Sequence, residues 1–395
     1  MKILQINNNH YRKSGTDSVY LNLIELLRRN GHKVIPFSFQ DKNNIREEND
    51  DFFVKKSFFY SSFGKIYSRS AKNNLEKLIL AHKPDVAHFH NIIGGLSLSI
   101  LSILKKYSIP TVVTVHGFKY LCPAYVFING KGEICEKCKQ GNYYNCILSN
   151  CAPEGRIKST ALTIESYLRD IFLPITDYID GYIFLSQFFL NKFVEVYPKI
   201  KNKSVFFYNF INDFEANYSI NKGDYFLYFG RLDREKGINT LIKAFSVNLG
   251  RKLKIIGDGQ LSEFVKISKT DNVEYLGYKD WNEIQKYLHN ASFVIIPSEC
   301  YENNPMTIIE SYSMGKPVIG SNLGGIPEII KFGETGFTFE SKNVLQLSSV
   351  LEVADKIDIE SYRQMSKNSI RFAKENFSSD IYYEKLLDVY NSVIK

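Results

Sequence analysis

No apolar run in this sequence is long enough to cross a membrane. The longest nearly apolar stretch, Ile92–Leu104, contains Ser and Gly and falls short of the roughly 20 residues that a spanning helix needs. The first segment, Met1–Asn7, turns polar too early for a secretory signal peptide. These two absences argue against an integral membrane protein and against a secreted one, and we expect a cytoplasmic location.

The sequence also lacks a dense basic run, an internal repeat and a low-complexity tract. We therefore expect no nucleic-acid partner. The net charge of +8 is nevertheless uneven, because residues 1–210 carry 28 Lys and Arg against 17 Asp and Glu, whereas residues 211–395 carry 22 against 25. The basic first half suits a peripheral position on the anionic inner face of the plasma membrane. A basic surface that contacts only water is the alternative.

The composition is that of a globular protein, with 44% hydrophobic and 23% charged residues. At 395 residues the chain is too long for one ordinary core, which favours two domains. Short β-rich runs alternate with helical patterns such as Ser18–Asn30, where Leu21, Ile24 and Leu27 fall on one face and Gly31 ends the helix. This alternation predicts the α/β class with parallel sheets.

Two series of strands are predicted. The first series comprises Lys2–Asn7, Lys33–Phe39, Asp85–Asn91, Thr111–Gly117, Gly181–Ser186 and Lys203–Asn209. The second comprises Tyr225–Leu232, Leu253–Gly257, Val273–Tyr278, Phe293–Pro297 and Pro317–Ser321. Each series predicts a Rossmann-like, doubly wound parallel sheet, and such sheets bind ligands outside the carboxyl ends of their strands.

The two series divide the chain into two domains that we expect to face a cleft. The first domain spans 1–212 and contains a Cys-rich insertion over 118–156. The second domain spans 213–375, and the polar stretch Asn212–Asp224 is predicted to link the two. The final helix, 376–395, is expected to pack back on the first domain.

Two glutamates in the second half stand at the start of a predicted helix. In the segment Pro297–Glu310, Asn303 and Asn304 are good helix caps, and Pro305 suits the first helical position. Glu302 then lies in the loop before the helix, whereas Glu310 lies inside it. One carboxylate could thus meet a reacting sugar and the other a ribose, and the start of the helix offers free N–H groups to an anionic group. A helix-end charge and a surface acid would give the same spacing.

Two cations precede this segment in the loop Gly230–Gly237, which follows a predicted strand and opens a helix. Arg231 and Lys236 could neutralise a diphosphate leaving group there, since charge-assisted hydrogen bonds are the strong ones. Another glycine turn, at Gly257, ends the strand Leu253–Gly257. This turn either passes close to a base or phosphate or is simply a tight loop.

These motifs, taken together and in this order, resemble glycosyltransferase family 4, a group of retaining enzymes with the GT-B fold. The Glu302–Glu310 pair is similar to the Glu-x7-Glu motif of that family, in a variant with Glu-Asn-Asn-Pro. The resemblance extends from the first strand to the last helix and rests on Gly15, Asp85–Asn91, His116-Gly117, Gly230–Gly237, Ile255–Leu261 and Pro297–Gly325.

The resemblance implies roles for individual residues. Arg231 and Lys236 would grip the donor diphosphate and stabilise the departing phosphate. Glu302 would lie beside the donor sugar hydroxyls, Glu310 would bond the ribose, and His116 would lie near the C6 edge of the sugar. The implied catalytic residues are therefore Glu302, His116, Arg231 and Lys236.

The resemblance also implies a wider set of donor-binding residues. Gly15 matches a glycine loop that meets the phosphates, although Ser14-Gly15-Thr16 stands where many relatives have two consecutive glycines. The full donor-binding set is Gly15, Arg231, Lys236, Gly257, Glu302, Asn304, Pro305, Met306 and Glu310. His88 and His90 alternate on a predicted strand and are left out of the catalytic set.

The implied activity is retaining transfer of a sugar from a UDP- or GDP-sugar to a glycan or a lipid-linked saccharide, in cell-surface polysaccharide assembly. No cofactor is required, because Arg231 and Lys236 occupy the place that a divalent ion fills elsewhere. A sugar-nucleotide epimerase of the same fold and a non-catalytic nucleotide-sugar binding protein are the alternatives.

Four cysteines lie within a short stretch of the predicted insertion: Cys135, Cys138, Cys146 and Cys151. In a cytosolic protein this density favours metal over disulfides, and four thiolates would hold a structural Zn²⁺. Ordinary reduced thiols, an iron–sulfur cluster and disulfides remain open alternatives. Cys300 stands apart and is expected to pack as a small apolar group.

Overall fold

The computed structural model describes residues 1–55, 67–212, 218–247, 250–268 and 270–394. The chain forms two compact units. The first comprises Met1–Tyr208 together with Tyr382–Lys395, and the second comprises Asn209–Ile381. Residues 213–217 of the predicted linker lie outside the described residues.

The described part of the first unit contains a six-stranded parallel sheet in the order β2-β1-β3-β4-β5-β6. Its strands are β1 Lys2–Ile6, β2 Lys33–Phe37, β3 Val86–Phe89, β4 Thr111–Val115, β5 Gly181–Phe184 and β6 Ser204–Phe206. Its α-helices are α1 Gly15–Arg29, α2 Arg69–His82, α3 Leu101–Lys106, α4 Asn145–Leu148, α5 Arg156–Phe172 and α6 Gln187–Val196. Short 3₁₀ helices occur at Asp50–Phe52, Leu98–Ile100, Lys139–Gly141, Ile175–Asp177 and Pro198–Lys203.

The described part of the second unit contains another six-stranded parallel sheet, in the order β12-β11-β10-β7-β8-β9. Its strands are β7 Tyr225–Phe229, β8 Lys252–Ile256, β9 Val273–Tyr275, β10 Val294–Ile296, β11 Val318–Ser321 and β12 Gly336–Phe339. The helices from here to the end of the chain are α7 Ile238–Ser246, α8 Ser262–Ile267, α9 Trp281–Asn290, α10 Met306–Ser313, α11 Ile326–Ile329, α12 Val344–Lys356, α13 Ile359–Asn376 and α14 Ser379–Val393. A 3₁₀ turn at Arg234–Lys236 precedes α7.

Strand β7 illustrates why these sheets are fully covered. All five of its residues, Tyr225–Phe229, are buried, as expected for parallel strands with helices on both faces. In the core, Phe226 and Phe293 stack with 6.1 Å between ring centroids, and Leu241 of α7 and Leu351 of α12 are fully buried in the same cluster.

The carboxyl-terminal part of α14 belongs to the first unit. Tyr390 is fully buried there, and its hydroxyl accepts a hydrogen bond of 3.2 Å from Nε2 of Gln5 on β1. The same hydroxyl lies 2.8 Å from Nδ1 of His88 on β3. The last helix of the chain thus packs on the first sheet.

The predicted α/β class, with two doubly wound parallel sheets, is confirmed. Each predicted strand is present, most of them one to three residues shorter than expected. The predicted helix Ser18–Asn30 begins earlier, at Gly15, since the Ser14 side chain caps it. Strand β12 was not predicted. It has only four residues and lies at the edge of the sheet, so that its sequence pattern is too short to indicate a strand.

Candidate functional site

The strand order of the second sheet creates a topological switch point. Strand β7 pairs with β8 on one side and with β10 on the other, so that the chain leaves β7 and β10 in opposite directions. In open α/β sheets, ligands bind where the loops diverge at such a point. The loop after β7 contains Arg231 and Lys236, and the loop after β10 contains Glu302.

A glycine lets these two loops touch. Gly237 ends the 3₁₀ turn in the left-handed conformation, with φ of 73°. A Cβ on this residue would overlap the carbonyl oxygen of Pro297, which follows β10, so that only glycine fits. The two loops are also joined by a backbone hydrogen bond of 2.7 Å from the N–H of Glu299 to the carbonyl oxygen of Glu235.

Lys236 and Glu302 form an ion pair in this contact. Nζ of Lys236 lies 2.6 Å from Oε1 of Glu302, and Oγ of Ser298 donates to the same oxygen at 2.7 Å. Both side chains are largely buried, with exposed fractions of 23% for Lys236 and 15% for Glu302. A salt bridge that is largely removed from water needs good geometry and further hydrogen bonds, such as the one from Ser298, to offset the cost of desolvation.

Each member of the pair holds the other in its charged state. Burial opposes the charge on Lys236, but the attraction of Glu302 outweighs it, so that the pKa of Lys236 is raised. Burial also opposes the charge on Glu302, and there Lys236 and the hydrogen bond from Ser298 prevail, so that the pKa of Glu302 is lowered. The site therefore presents a fixed ammonium and a fixed carboxylate at neutral pH.

Arg231 provides a second, more accessible cation in the same loop. Its side chain is 63% exposed, and its guanidinium contacts Asp233 at 2.6 Å and Glu235 at 3.2 Å. The hydroxyl of Tyr228 donates to the carbonyl oxygen of Arg231 at 2.6 Å and fixes the backbone. Arg231 is thus oriented by its neighbours while its outer face stays open to a ligand.

Glu310 lies on α10, more than one turn after the helix begins at Met306. Burial raises the pKa of Glu310 to about 7. Among the residues that the structure describes, no side chain forms a hydrogen bond or ion pair with this carboxyl. A half-buried carboxyl with a raised pKa and no partner is a candidate for bonding a ligand.

The predicted start of this helix is wrong by one residue. Pro305 is the residue before the helix, with an extended ψ of 122°, and Met306 is the first helical residue. Asn304 does not cap the helix, because its Oδ1 accepts a hydrogen bond of 2.6 Å from the N–H of Asn209. The Nδ2 atom of Asn304 is buried and has no hydrogen-bond partner within the described residues.

Gly257, after β8, lies beside the start of the cation loop. Its φ is 146°, and a Cβ there would overlap the carbonyl oxygen of Gly230. The glycine therefore allows the turns after β7 and β8 to approach each other closely. This contact accounts for Gly257 without a ligand, and its role in donor binding stays a prediction.

In the first unit, Gly15 begins α1 directly after the loop that follows β1. A Cβ at Gly15 would meet nothing within 4 Å, so that the packing does not require a glycine there. The loop is ordered by Asp17, which receives hydrogen bonds from Asn7 at 2.8 Å and from Ser14 at 2.6 Å. The contact of Gly15 with phosphates stays a prediction.

His116 belongs to a row of three histidines, in which His88 lies within β3 and His90 and His116 follow β3 and β4. Nε2 of His116 lies 2.8 Å from Nδ1 of His90, and the rings of His88 and His90 stack with 4.7 Å between centroids. Burial lowers the pKa of His116 to about 3, and burial together with the neighbouring imidazoles lowers the pKa of His88 to about 3 and that of His90 well below its usual value. The row is therefore neutral at physiological pH.

Several residues that support the site were not predicted from the sequence. Ser298 and Asn209 hold Glu302 and Asn304, and His90 holds His116. The alternation of His88 and His90 signalled that the two side chains share a face, but not that His90 reaches a neighbouring strand. Such contacts across strands depend on the strand order, which the sequence does not state.

The cysteines are close together but are not arranged as a metal site. Cys138 and Cys146 are buried with Tyr143, and Cys151 packs against them. All six cysteines, which lie within the described residues, are free, and no three Cys, His, Asp or Glu side chains there could hold a metal ion. Zinc bound by Cys135, Cys138, Cys146 and Cys151 stays a prediction.

No helix in the described part of the chain has the length and apolar content needed to span a membrane.

Two family models match the chain. The model for glycosyltransferase family 4 matches residues 13–213, and the model for glycosyl transferases group 1 matches residues 209–372. The first covers half of the chain, and together the two cover both units.

Individual proteins agree with the family models. An uncharacterised glycosyltransferase of Methanocaldococcus jannaschii is 30% identical over 226 residues, which are 55% of this chain and 62% of that relative. A capsular polysaccharide biosynthesis glycosyltransferase of Staphylococcus aureus is 28% identical over 195 residues, 47% of this chain and 50% of the relative. The chain thus spans between half and two thirds of the length of these two relatives.

The fold is similar to that of a solved structure of HepE from Anabaena in complex with UDP and glucose. The TM-score is 0.68 at 16% identity, and the match covers 99% of this chain and 100% of the other. This likeness shows the GT-B fold. The family models, the relatives and the fold agree, and the chain belongs to glycosyltransferase family 4 and is a glycosyltransferase.

Proposed function

We propose that this protein transfers a sugar, with retention of configuration, from a UDP- or GDP-sugar to a glycan or a lipid-linked saccharide. The observation that carries the proposal is the Lys236–Glu302 ion pair at the switch point of the second sheet, with Arg231 in the same loop. A cation pair and a carboxylate held on rigid loops match the charges of a diphosphate and the hydroxyls of a sugar.

In this proposal the second unit binds the donor. Arg231 and Lys236 bond the diphosphate oxygens, and the free N–H groups at the start of α10 face the same negative charge. Glu302 accepts hydrogen bonds from sugar hydroxyls with the oxygen that is not used by Lys236. Glu310 accepts from the ribose, and Nδ2 of Asn304 is a further donor for the ligand.

The reaction then needs orientation more than covalent help. The bond between the anomeric carbon and the phosphate oxygen breaks, and the bond from that carbon to the acceptor oxygen forms on the same face. The acceptor proton passes to the leaving phosphate oxygen, so that the charge balances. Lys236 and Arg231 stabilise the negative charge that grows on the phosphate, which is the largest contribution expected from the protein.

The two cations are in place before the donor arrives. Lys236 is held by Glu302 at 2.6 Å, and Arg231 by Asp233 at 2.6 Å. Fixed charges of this kind supply the neutralisation that a divalent ion supplies in other enzymes. We therefore propose that turnover continues in the presence of EDTA.

The comparisons support the pathway and the donor. The similar protein of Staphylococcus aureus acts in capsular polysaccharide biosynthesis, and the similar structure of HepE contains UDP and glucose. Cell-surface polysaccharide assembly, at the inner face of the plasma membrane, is the corresponding proposal for this chain. His116 and Gly15 are proposed to contact the sugar and the phosphates, as the family resemblance implies.

The test is a panel of UDP- and GDP-sugars incubated with the protein, in which release of free UDP or GDP is measured with and without EDTA. We expect release from one nucleotide class, with EDTA changing the rate less than twofold. Product made from one donor with a new sugar stereocentre but without free nucleotide would identify an epimerase instead. Lack of both release and thermal stabilisation by every donor would contradict the proposal.

A further inference from the structure

Helix α5, Arg156–Phe172, is amphipathic in the reverse of the usual sense. Its buried residues are polar: Ser159, Thr163, Ser166 and Arg169. Its most exposed large side chains are apolar, and Ile157, Ile164 and Ile171 have exposed fractions of 89%, 52% and 69%. Surface helices normally bury the apolar face, so that this one presents an interaction surface.

The polar face is buried because it binds the backbone of the segment before the helix. Oγ1 of Thr163 donates to the carbonyl oxygen of Tyr143 at 3.1 Å, and Oγ of Ser159 accepts from the N–H of Ala152 at 3.0 Å. The guanidinium of Arg169 donates to the carbonyl oxygen of Lys119 at 3.1 Å. These contacts fix the rotation of α5, so the apolar face points outward for a structural reason.

The outward residues have a regular spacing. Ile157, Ile164 and Ile171 are seven residues apart, and Ala161 and Leu168 fill the intermediate positions of the stripe. Ala161 is exposed and Leu168 partly exposed. Spacings of four and three residues in alternation are those of a helix that packs along another helix.

We propose that two copies of this chain pair through α5, with the two helices antiparallel about a twofold axis at Ile164. The stripe complements itself in this arrangement. Ile157 lies opposite Ile171 of the second copy, and the small Ala161 lies opposite the large Leu168, so that the surfaces interdigitate. Leu148 of α4, which packs on α5, is a further exposed apolar side chain in this region, at 71%.

The charges of the helix ends select the same arrangement. The first turn of α5 carries Arg156 and Lys158 and no acidic residue, which is unfavourable at the positive end of a helix dipole. In the antiparallel pair these cations lie beside the carboxyl-terminal end of the other helix, where the dipole is negative. A parallel pair would bring the four cations together.

The size of the contact sets its strength. One helix pair buries less than the roughly 1,200 Å² that stable interfaces bury. We therefore expect a reversible dimer that forms at micromolar concentration. This inference does not depend on the donor or on glycosyl transfer.

Sedimentation velocity of the full-length protein between 1 and 100 µM tests the pairing. We expect the wild type to shift from monomer to dimer over this range and Ile164→Glu to raise the dissociation constant at least tenfold. Leu80→Glu is the matched control, because Leu80 on α2 has a similar exposed fraction of 56% and lies in the same unit. Circular dichroism melts confirm that both variants fold.

Cysteine crosslinking tests the orientation. With a short bis-maleimide, Ile164→Cys should link to itself, whereas Ile157→Cys should link only when Ile171→Cys is present in the same chain. Wild type and Leu80→Cys give the background from the native cysteines.

Several results would overturn the proposal. These are a monomer at 100 µM, a dimer that Ile164→Glu leaves intact, and self-linking of the single variant Ile157→Cys. A monomer that binds vesicles of phosphatidylglycerol and phosphatidylethanolamine, and loses that binding in Ile164→Glu, would instead assign the stripe to a membrane.

Discussion

The two sheets carry different chemistry at the ends of corresponding central strands. In the second sheet the loops after β7 and β10 hold the Lys236–Glu302 ion pair, at 2.6 Å, with Arg231 beside it. In the first sheet β3 and β4 end in His90 and His116, whose ring nitrogens are 2.8 Å apart and whose pKa values are lowered by burial. The side chains in the loops after β7 and β10 are therefore charged, whereas the histidines after β3 and β4 are neutral.

From this difference we expect different roles for the two sheets. Charges on the second sheet suit a diphosphate, which must be neutralised before it can leave. Neutral imidazoles on the first sheet suit hydrogen bonding to uncharged hydroxyls, without attraction for the phosphates. Removing a charge from the second sheet should therefore cost far more activity than removing a ring from the first.

The largest effect is expected for Lys236→Ala. Loss of the ammonium removes the stabilisation of the departing phosphate, and turnover should fall by about 10²–10³. Initial rates with the preferred donor measure this. The control is Lys266→Ala, because Lys266 is 52% exposed and pairs with Glu263 on the surface. Turnover of Lys236→Ala within twofold of the wild type would show that the Lys236 ammonium does not stabilise the departing phosphate.

Arg231→Ala should reduce turnover by about 10², because the second cation is lost. Its guanidinium is 63% exposed, so that water screens its ion pairs with Asp233 and Glu235 and these pairs contribute little to stability. The melting temperature should therefore change by less than about 2 °C. A large drop in melting temperature with full activity would mean that Arg231 acts only in the fold.

The variant Glu310→Gln should be more stable than the wild type but should bind the nucleotide more weakly. The pKa of Glu310 is raised by burial to about 7, above its ordinary value of 4.5, so the protonated form favours folding. The stability that this residue contributes is present below pH 4.5 and is lost as the pH rises through 7. The variant should be more stable than the wild type by about 2–3 kcal/mol at pH 8 and by less than about 1 kcal/mol at pH 5.

Urea unfolding at the two pH values measures this difference, and titration of UDP and GDP measures binding. Binding of the preferred nucleotide should weaken in Glu310→Gln although the protein is more stable. A gain in stability that is equal at pH 5 and pH 8 would show that the carboxyl is not the cause.

The smallest effect is expected for His116→Asn in the first sheet. Loss of one neutral hydrogen bond should lower turnover about tenfold. Because the pKa of His116 is about 3, this factor should be constant from pH 5.5 to 8. A variant whose deficit changes between pH 6 and 7 would show that the imidazole titrates there, and the contrast between the sheets would fail.

The sequence predicted the two sheets well, because buried parallel strands and the glycines after them leave strong local signals. Gly230, Gly237 and Gly257 marked the turns, and Arg231, Lys236 and Glu302 were expected at one site. The structure brings Lys236 and Glu302 into contact and shows why, since Gly237 lets their loops meet.

The remaining features depend on distant parts of the chain. Asn304 resembles a helix cap in sequence, but Asn209 occupies its side chain. The spacing of the cysteines predicts zinc, and the structure adds that Cys138 and Cys146 are buried together with Tyr143. Helix α5 has an ordinary amphipathic pattern, and only the contacts of Thr163 and Arg169 reveal that its apolar face is outside. The amphipathic pattern of a helix does not by itself show which face of the helix is buried.

A crystal structure of the protein soaked with UDP or GDP would show whether the second unit binds the donor as proposed. We expect diphosphate oxygens within hydrogen-bond distance of Nζ of Lys236 and of the Arg231 guanidinium, with the ribose hydroxyls on Glu310. A nucleotide bound elsewhere, with the Lys236–Glu302 pair untouched, would contradict it.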